Sequence, residues 1–478
     1  MIIAFSVFLL LFVLIGLSSA RLSRRTRHDY YLADNTVKPW LVGLSAVATN
    51  NSGYMFIGVI GYTYATGFPA FWLMAGWIAG DFLGSMFVHR RLREATVRTG
   101  EVSYAGVLSA WYGRNNGALQ RTIGAISLLF LLTYASAQLV AGSKALHVLF
   151  DWPLWAGSVI GAVIVVAYCI AGGIRASIWT DAAQSFVMIF AMGALLVVAV
   201  DALGGMNSAL NAMQQIDGFT EWFPRDLPLP GIWGPILFAV SWGFAGLSVI
   251  GQPHVMVRFM ALDNSDNMHV ARAWYYLWFI AFYAMATSVG LLARIHLGDT
   301  ASFDAELALP TMAMELMPPM MVGLILAGIF AATMSTADSL VLSCSAALTH
   351  DLLPHRIENG MLIKLATALI TALALGLALM NNQSVFNLVI LSWSALASAF
   401  APLLIAQCLG RRPSQGVALA ALSAGLATAL LWRYLGWHAV AYEGLPGILV
   451  GLAVLMLATR RERVPAGDGM PAAEVARS

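Results

Sequence analysis

A row of small hydroxyl side chains in the apolar stretch LAGIFAATMSTADSLVLSCSAALTHD has the residue types of a cation site. Ser335, Thr336 and Ser339 follow Ala332 at spacings of three and four residues, which places them on one face of a helix. Their oxygens suit a hard monovalent cation, which prefers oxygen over sulfur or nitrogen. Hydroxyls in a helix also bond back to the carbonyls of that helix, so the hydroxyls alone do not distinguish a cation site from ordinary helix bonding. Asp338 favours the cation site, because a carboxylate in an apolar span is costly and by default functional.

A cluster of hydrogen-bonding residues interrupts a second apolar stretch, LSAVATNNSGYMFIG. Its members are Thr49, Asn50, Asn51, Ser52 and Gly53. Asparagine and serine compete for their own backbone, and glycine lowers the cost of leaving the helix. The pattern predicts an unwound segment with exposed carbonyls, although a polar seam between packed helices would have the same composition.

Glycines and a proline punctuate a third stretch, AVSWGFAGLSVIGQPH. Gly243, Gly246 and Gly251 follow Trp242, and Pro253 lacks a backbone donor. We interpret this stretch as a second broken helix, five apolar segments after the first. Paired broken helices are typical of inverted-repeat transporters, whose binding sites lie at the breaks. Close helix packing at the glycines is the alternative interpretation.

Two more carboxylates lie in apolar stretches. Asp81, in AGWIAGDFLG, is interpreted as a structural hydrogen-bonding residue. Asp181, in IRASIWTDAAQ, lies near the predicted start of its helix, where it could cap the N-terminus or face Asp338.

The elements that must position these residues are membrane helices. The chain has 478 residues, of which 59% are hydrophobic and only 10% are charged, whereas soluble domains carry about 25% charge. This composition excludes an ordinary soluble enzyme, a disulfide scaffold and a disordered chain, and it indicates an all-α polytopic membrane protein. The net charge of +2 gives no indication of nucleic-acid binding. Apolar runs predict about thirteen transmembrane helices, at residues 2–20, 38–64, 69–88, 119–149, 152–171, 177–203, 231–254, 270–295, 318–348, 361–381, 385–409, 415–434 and 443–459.

Positive charge is distributed unevenly between the predicted loops. With Met1 outside, all but four of the 26 Lys and Arg residues fall on the opposite, cytoplasmic side. Arg258 is counted on that cytoplasmic side. The four exceptions are Lys144, Arg225, Arg294 and Arg433. The positive-inside rule then predicts an outer N-terminus and a cytoplasmic C-terminus.

Motifs for enzymatic chemistry are missing from the sequence. It contains no phosphate-binding glycine loop, zinc-protease histidine pair or nucleophile elbow, so we expect no enzyme and no organic cofactor. The three cysteines, Cys169, Cys344 and Cys408, lie far apart in apolar runs and indicate neither a disulfide nor a metal site.

Four segments, taken in order, together carry a specific family resemblance. They are DYYLADNTVKPWLVGLSAVATNNSG, IAGGIRASIWTDAAQSFVMIF, GQPHVMVRFMA and LAGIFAATMSTADSLVLSCSAALTHDLL. The chain resembles the sodium:solute symporter family and, within it, the bacterial sodium/proline symporters, which implies a bacterial inner membrane as its location. The resemblance implies a leucine-transporter-like fold, a 5+5 inverted repeat with extra helices at both ends. The implied divisions are an N-terminal helix and basic loop (1–37), repeat one (38–204), an extracellular loop (205–230), repeat two (231–410), two C-terminal helices (411–463) and a cytoplasmic tail (464–478).

The resemblance also implies the ligands of the coupling sodium. They are the backbone carbonyls of Ala48, Asn51 and Ala332 and the hydroxyls of Ser335 and Thr336. Some relatives bind a second sodium through an aspartate at the position of Asp181 and hydroxyls one turn further along the helix that binds the first. A second cation or a shared proton would here use Asp181, Asp338 and Ser339. One departure is Asn50, which stands where the sodium/proline symporters carry an aspartate. The segment after Trp242 is also about three residues longer, so the resemblance supports sodium symport more strongly than proline.

These observations predict a sodium-driven symporter that imports a small organic solute by alternating access. Exposed amides at helix breaks suit a carboxylate, so an amino acid such as proline or a related carboxylate is the expected substrate. The predicted substrate contacts are Asn50, Ser52, Gly53, Tyr134, Ser136, Gln138, Trp242, Gly243, Phe244, Ser392, Trp393 and Ser394. Two alternatives remain open: a transporter-like sensor or regulatory subunit, and a proton-coupled or uncoupled carrier that uses Asp181 and Asp338. The expected partners are the solute, sodium and the lipid bilayer, without nucleic acid.

Overall fold

Helices make up nearly all of the regular structure. The computed structural model describes residues 1–459 apart from 20, 22–23, 25, 114–115, 299–302, 354–356 and 381–383. Across these residues there is no β-strand, and an isolated bridge pairs Val37 with Leu262. The all-α prediction is confirmed. The predicted tail, residues 464–478, lies outside the described residues.

Most of the helices follow one another with short connections, and the longest connection, residues 215–232, joins α9 to α10. The first nine are α1 Ile2–Ser19, α2 Arg27–Leu32, α3 Pro39–Tyr54, α4 Ile60–Thr66, α5 Ala70–Thr99, α6 Tyr104–Ala110, α7 Gly117–Phe150, α8 Leu154–Ala202 and α9 Met206–Gln214. The others are α10 Trp233–Leu247, α11 Pro253–Met260, α12 Met268–Leu297, α13 Ala308–Leu316, α14 Pro319–Ala346, α15 Gly360–Met380, α16 Val385–Cys408, α17 Gln415–Tyr434 and α18 Gly444–Ala458. Wider π-helical turns at Met55–Val59 and Ala347–Leu352 link α3 to α4 and extend α14.

Ten helices in the described ranges are long and apolar enough to cross a membrane, and Leu154–Ala167 and Gly444–Ala458 are shorter apolar helices. The predicted spans 152–171 and 177–203 are both helical, and within the range of α8 they are separated by a break at Gly173 (φ 56°, ψ −141°). Glycine is required there, because a Cβ would lie 2.5 Å from the carbonyl oxygen of Tyr30. Ten long spans and two shorter apolar helices do not establish the exact number, so the count of about thirteen stays a prediction.

The long helices differ in how far other helices cover them. The most apolar windows of the α14 segment and of α16 are 83% and 89% buried, whereas those of α1 and α17 are only 22% and 28% buried. Large apolar side chains such as Ile3 and Leu277 are exposed on the outside. An apolar exterior suits lipid, and the covered helices α14 and α16 are where polar groups can be satisfied internally.

Two of the glycines predicted to interrupt a helix instead allow close packing. Helix α10 continues through Gly243 and Gly246 to Leu247. A Cβ on Gly246 would lie 2.0 Å from the carbonyl oxygen of Trp77 in α5, and one on Gly80 would lie 1.8 Å from that of Gly243. The expected interruption at these two glycines is therefore wrong. Close packing explains Gly246, whereas a Cβ on Gly243 would meet no atom within 4 Å and only the backbone of Gly243 packs against Gly80. The helix breaks later, through a 3₁₀ turn at Ser248–Gly251 and an extended Gln252 before Pro253 starts α11.

Candidate functional site

The first helix break is a single strained residue. Ser52 has φ 47° and ψ −178°, while the rest of Pro39–Tyr54 is helical. The prediction of a break between 48 and 53 is confirmed, but the unwound segment is shorter than expected. Side chains of α7 hold the break: Gln138 Oε1 accepts from the N–H of Gly53 at 2.9 Å, and the Tyr134 hydroxyl donates to Ser52 Oγ at 3.2 Å. The strain persists because these neighbours fix it.

Helix α14 brings its hydroxyl face against the carbonyls of α3. Ser335 Oγ lies 3.2 Å from the carbonyl oxygen of Ala48 and 3.1 Å from that of Ala332. The Thr336 hydroxyl donates to the carbonyl of Thr49 at 2.9 Å. Four of the five predicted sodium ligands are therefore brought together, and the carbonyl of Thr49 is an additional oxygen that the sequence analysis missed. All of these residues are fully buried.

Asn51, the fifth predicted sodium ligand, makes local contacts. Its carbonyl accepts from the N–H of Met55, and its side-chain amide donates to the carbonyl of Val47 at 3.0 Å. Back-bonding, the alternative interpretation of the hydroxyl row, also occurs, because Ser339 Oγ donates to the carbonyl of Ser335 at 2.5 Å. The hydroxyls of α14 therefore contact both their own helix and α3.

A buried guanidinium lies in the cluster predicted for a second cation. Nη2 of Arg258 donates to Ser177 Oγ at 2.7 Å, hydrogen-bonds Ser339 Oγ, and lies 3.4 Å from Asp181 Oδ2. The Ser177 hydroxyl in turn donates to Asp338 Oδ1 at 3.0 Å, and Ser339 Oγ lies 3.0 Å from the same oxygen. The side chains of Arg258 and Asp181 have no exposed area. Two carboxylates and one guanidinium thus share a single buried network.

The structure corrects two sequence interpretations in this network. Arg258 was counted among cytoplasmic loop charges, but it lies inside the protein on the half-helix α11. Asp181 cannot cap its helix, because it lies eight residues after the break at Gly173 and therefore beyond the first helical turn. The alternative, that it faces Asp338, agrees with the guanidinium of Arg258, which lies 3.4 Å from Asp181 Oδ2 and bonds the two serines that contact Asp338. The apolar surroundings of Arg258 in PHVMVRFM were the signal that could have revealed its burial.

Asp81 makes the structural hydrogen bonds predicted for it. Its carboxylate accepts from the hydroxyls of Tyr275 and Tyr276 at 2.6 and 2.8 Å and from the side-chain amide of Asn50 at 3.2 Å. That amide also hydrogen-bonds the Tyr275 hydroxyl. Asn50 is therefore directed toward α5 and α12, and the buried carboxylate beside it belongs to Asp81.

The predicted substrate residues separate into those at the break and those beside it. Ser52, Gly53, Tyr134 and Gln138 meet at the break, whereas the Ser136 hydroxyl bonds back to the carbonyl of Thr133 at 2.7 Å. Ser394 donates to its own helix at Leu391, 3.0 Å away. Gly243 packs beside α5, and the carbonyl of Phe244 accepts from Ser248 Oγ at 2.7 Å.

His254 is a buried residue near the break that the sequence analysis missed. Its ring lies edge-on to Tyr134, with centroids 5.4 Å apart, and 6.2 Å from Trp393. Within the described residues several buried polar atoms around it have no hydrogen-bond partner. They are both ring nitrogens of His254, Gln138 Nε2, Gln252 Oε1, Ser392 Oγ and the Tyr54 hydroxyl. Unpartnered polar atoms in a buried region are expected where a polar ligand binds.

An aromatic cluster adjoins the break, comprising Tyr54, Tyr62, Trp77, Trp242, Phe386 and Trp393. Phe386 stacks on both Tyr54 and Tyr62 with centroids 5.3 Å apart. Trp77 lies 5.7 Å from Tyr54 and 5.5 Å from Trp393, and Trp242 lies 5.9 Å from Tyr62. The cluster brings helices α3, α4, α5, α10 and α16 together next to the unpartnered polar atoms.

The family model described as "Sodium:solute symporter family" matches residues 30–425 of this sequence. The chain belongs to the sodium:solute symporter family. It is 29% identical to the sodium/proline symporter of Escherichia coli K12 over 475 residues, covering 94% of this chain and 91% of that one. It is 28% identical over 434 residues to a high-affinity proline transporter of Bacillus subtilis, covering 89% and 90%. The predicted family is thus confirmed.

Solved structures support the fold. A Na⁺-coupled sialic acid symporter matches with a TM-score of 0.78 at 18% identity, covering 96% of this chain and 98% of that one. MhsT in complex with L-phenylalanine matches with a TM-score of 0.60 at 12% identity, covering 88% and 98%. The leucine-transporter-like fold is confirmed.

Family membership and fold together define a multi-pass membrane protein that couples sodium to the symport of a small solute.

Proposed function

We propose that the coupling sodium binds between α3 and α14, at the carbonyls of Ala48, Asn51 and Ala332 and the hydroxyls of Ser335 and Thr336. The observation that carries the proposal is the Ser335 hydroxyl, whose oxygen lies 3.2 and 3.1 Å from carbonyls of two different helices. A hydroxyl both donates and accepts, so it can bond a carbonyl without the ion and offer a lone pair to the ion. Oxygen ligands of this kind are what a hard cation prefers.

The substrate is proposed to bind at the Ser52 break, against α7, α11 and α16. The unpartnered polar atoms of Gln138, His254, Ser392 and Tyr54 supply donors and acceptors for a polar solute. The amide of Gly53 at the break donates to Gln138 Oε1, and a solute carboxylate could replace that acceptor, because amides at a helix break suit an anion. Relatives named as proline transporters add support for an amino acid such as proline.

Helix α3 provides the coupling between ion and solute. Ala48, a proposed sodium ligand, precedes the Ser52 break by about one helical turn. A cation that fixes the carbonyl of Ala48 also fixes the segment against which the solute binds. Sodium binding first then raises the affinity for the solute, and the solute raises the affinity for sodium equally. A membrane potential contributes about 2.3 kcal/mol per sodium per 100 mV to uptake.

The two inverted repeats are proposed to be residues 38–204 and 231–410. Each repeat begins with a broken helix, α3 at Ser52 and α10–α11 at Ser248–Gln252, which supports equivalent roles. Alternating access would follow from tilting one bundle of helices against the other. An outer N-terminus and cytoplasmic C-terminus remain part of this proposal, supported by the placement of Lys and Arg.

The test is uptake into proteoliposomes that contain the purified full-length chain. A panel of radiolabelled solutes led by L-proline is offered with an inward sodium gradient and with choline in its place. For the transported solute, Ser335→Ala combined with Thr336→Ala should lower sodium-driven uptake at least about tenfold, since 1.4 kcal/mol of lost binding is tenfold in affinity. A control variant combines Ser288→Ala and Thr428→Ala, whose hydroxyls contact only their own helices. Unchanged sodium-driven uptake in the Ser335/Thr336 variant would refute the site.

Proton coupling is a second candidate, favoured by one observation. Asp181 Oδ1 and Asp338 Oδ2 are buried and have no hydrogen-bond partner within the described residues, so a proton could bind there. Uptake driven by a pH gradient in sodium-free buffer, lost in Asp338→Asn, would support it. Absence of such uptake would exclude it.

A further inference from the structure

We propose that Arg258 is a built-in cation that occupies the second cation position, so that one sodium suffices to neutralise the buried polar network. The proposal rests on the sodium site proposed above. Its basis is the surroundings of Nη2, which contacts two hydroxyls and one carboxylate, from Ser177, Ser339 and Asp181. Oxygens of the same kinds would bind a mobile sodium ion.

Arg258 lies there because the half-helix α11 directs it inward. Nη1 donates to the carbonyl of His254 at 2.8 Å, one turn earlier on α11, which orients the guanidinium toward α8 and α14. The side chain is fully buried, and such a charge is stable only beside an opposite charge. A mobile sodium would have to displace Nη2 from all three oxygen partners.

The network's charges leave one place for a mobile cation. With both carboxylates ionised, Asp181 and Asp338 bring two negative charges and Arg258 brings one positive charge, so one negative charge remains. Each carboxylate has one oxygen without a hydrogen-bond partner among the described residues, Asp181 Oδ1 and Asp338 Oδ2. A single monovalent cation nearby would complete the neutralisation.

Thr49 connects this remaining charge to the proposed sodium site. Its hydroxyl oxygen lies 3.4 Å from Asp181 Oδ2 and 3.3 Å from Ser339 Oγ, while its carbonyl accepts from Thr336. The charge and the hydroxyl-lined site therefore share a residue of α3. Because opposite charges attract strongly in a buried environment, the sodium site is where the mobile cation binds.

The proposal predicts how many sodium ions the chain binds. Equilibrium binding of radiolabelled sodium to purified protein should saturate at about one ion per chain in the wild type and in Arg258→Lys. Arg258→Gln removes the built-in charge and frees the oxygens, so saturation should rise to about two ions, with cooperative binding. Asp181→Asn combined with Arg258→Gln restores the charge balance and should return the number to about one. Arg433→Gln, which breaks the distant pair with Glu443, is the control and should leave the number unchanged.

The outcomes separate the two proposals. Two ions bound by the wild type, or one ion bound by a monodisperse Arg258→Gln protein, would overturn the role of Arg258. A wild type that binds no sodium would overturn the proposed function instead. If Arg258→Gln does not fold, Asp338→Asn gives the answer: with Arg258 present it removes the remaining charge and should weaken sodium binding at least about tenfold. Unchanged sodium affinity in that variant would also overturn the proposal.

Discussion

The two broken helices differ in what produces the break. In α3 the break is a positive φ at a serine, a conformation that disfavours residues with a side chain and costs about 1–3 kcal/mol. Its geometry depends on the α7 side chains Gln138 and Tyr134. This break is stabilised by side chains of a neighbouring helix, so a change in those side chains or in a bound ligand can alter its geometry.

The second break is built into its own sequence. Gln252 has an ordinary extended conformation (φ −99°, ψ 100°), and Pro253 starts α11 with a ring suited to the first helical position. Glycines upstream fix α10 against α5. We infer that the first break responds to ion and solute, while the second is a fixed corner that positions His254 and Arg258.

The largest effect is expected where α10 is fixed against α5. Gly246→Ala places a Cβ 2.0 Å from the carbonyl oxygen of Trp77, so the two helices must separate. Overpacking of this kind costs about 1–3 kcal/mol or more, and we expect little folded protein in the membrane. Gly243→Ala is the matched control, since a Cβ there meets no atom within 4 Å. Size-exclusion profiles and thermal unfolding of both variants check the prediction, and equal yields would contradict a fixed α5–α10 contact.

A glutamine at each break allows the two to be compared directly. Gln138→Ala leaves the buried N–H of Gly53 without its acceptor, a loss of about 1–3 kcal/mol. We therefore expect solute uptake to fall at least about tenfold. Gln252 donates to the carbonyls of Ser248 and Trp393. The carbonyl of Trp393 lies inside α16 and keeps its helical partner, so Gln252→Ala should lower uptake less than Gln138→Ala does, by less than about threefold. Similar losses in initial uptake rates would mean that both breaks are held from outside.

The sequence predicted features that depend on local spacing. The hydroxyl face of α14 follows from intervals of three and four residues, and Ser335 and Thr336 indeed contact α3. The break in α3 was predicted within six residues, because asparagine, serine and glycine cluster there. Its reduction to Ser52 alone could not be predicted, since it depends on side chains about 80 residues further along the chain.

Features that depend on which helices touch were missed. Glycine permits both a break and a close contact, so the sequence could not distinguish Gly243 and Gly246 from Gly251 without knowing that α5 lies beside α10. Arg258 was assigned to a loop because positive charge usually lies at membrane surfaces. Its burial follows from the two carboxylates that α8 and α14 place opposite α11.

The difference in stability between the glycine variant and the alanine variant should have opposite signs at the two break residues, Ser52 and Gln252. Both substitutions at Ser52 lose the hydroxyl, but glycine tolerates the positive φ, so Ser52→Gly should be more stable than Ser52→Ala by about 1–2 kcal/mol. At Gln252 the backbone is unstrained, and Gln252→Gly should be less stable than Gln252→Ala by about 0.5–1 kcal/mol, because glycine gains more freedom on unfolding. Apparent Tm values of the four proteins check both orders. The same order at both positions would remove the distinction between a strained and a relaxed break.

The smallest effect is expected at Pro253. This residue stands at the first position of α11, where its missing N–H would have no helical partner in any case. Pro253→Ala should lower stability by less than about 1 kcal/mol, through greater freedom of the unfolded chain. Sodium-driven uptake should be nearly unchanged, because Gln252 keeps its bonds to Ser248 and Trp393. A large loss of uptake with a normal Tm would instead mean that the second break also moves during transport, and that its proline limits the movement.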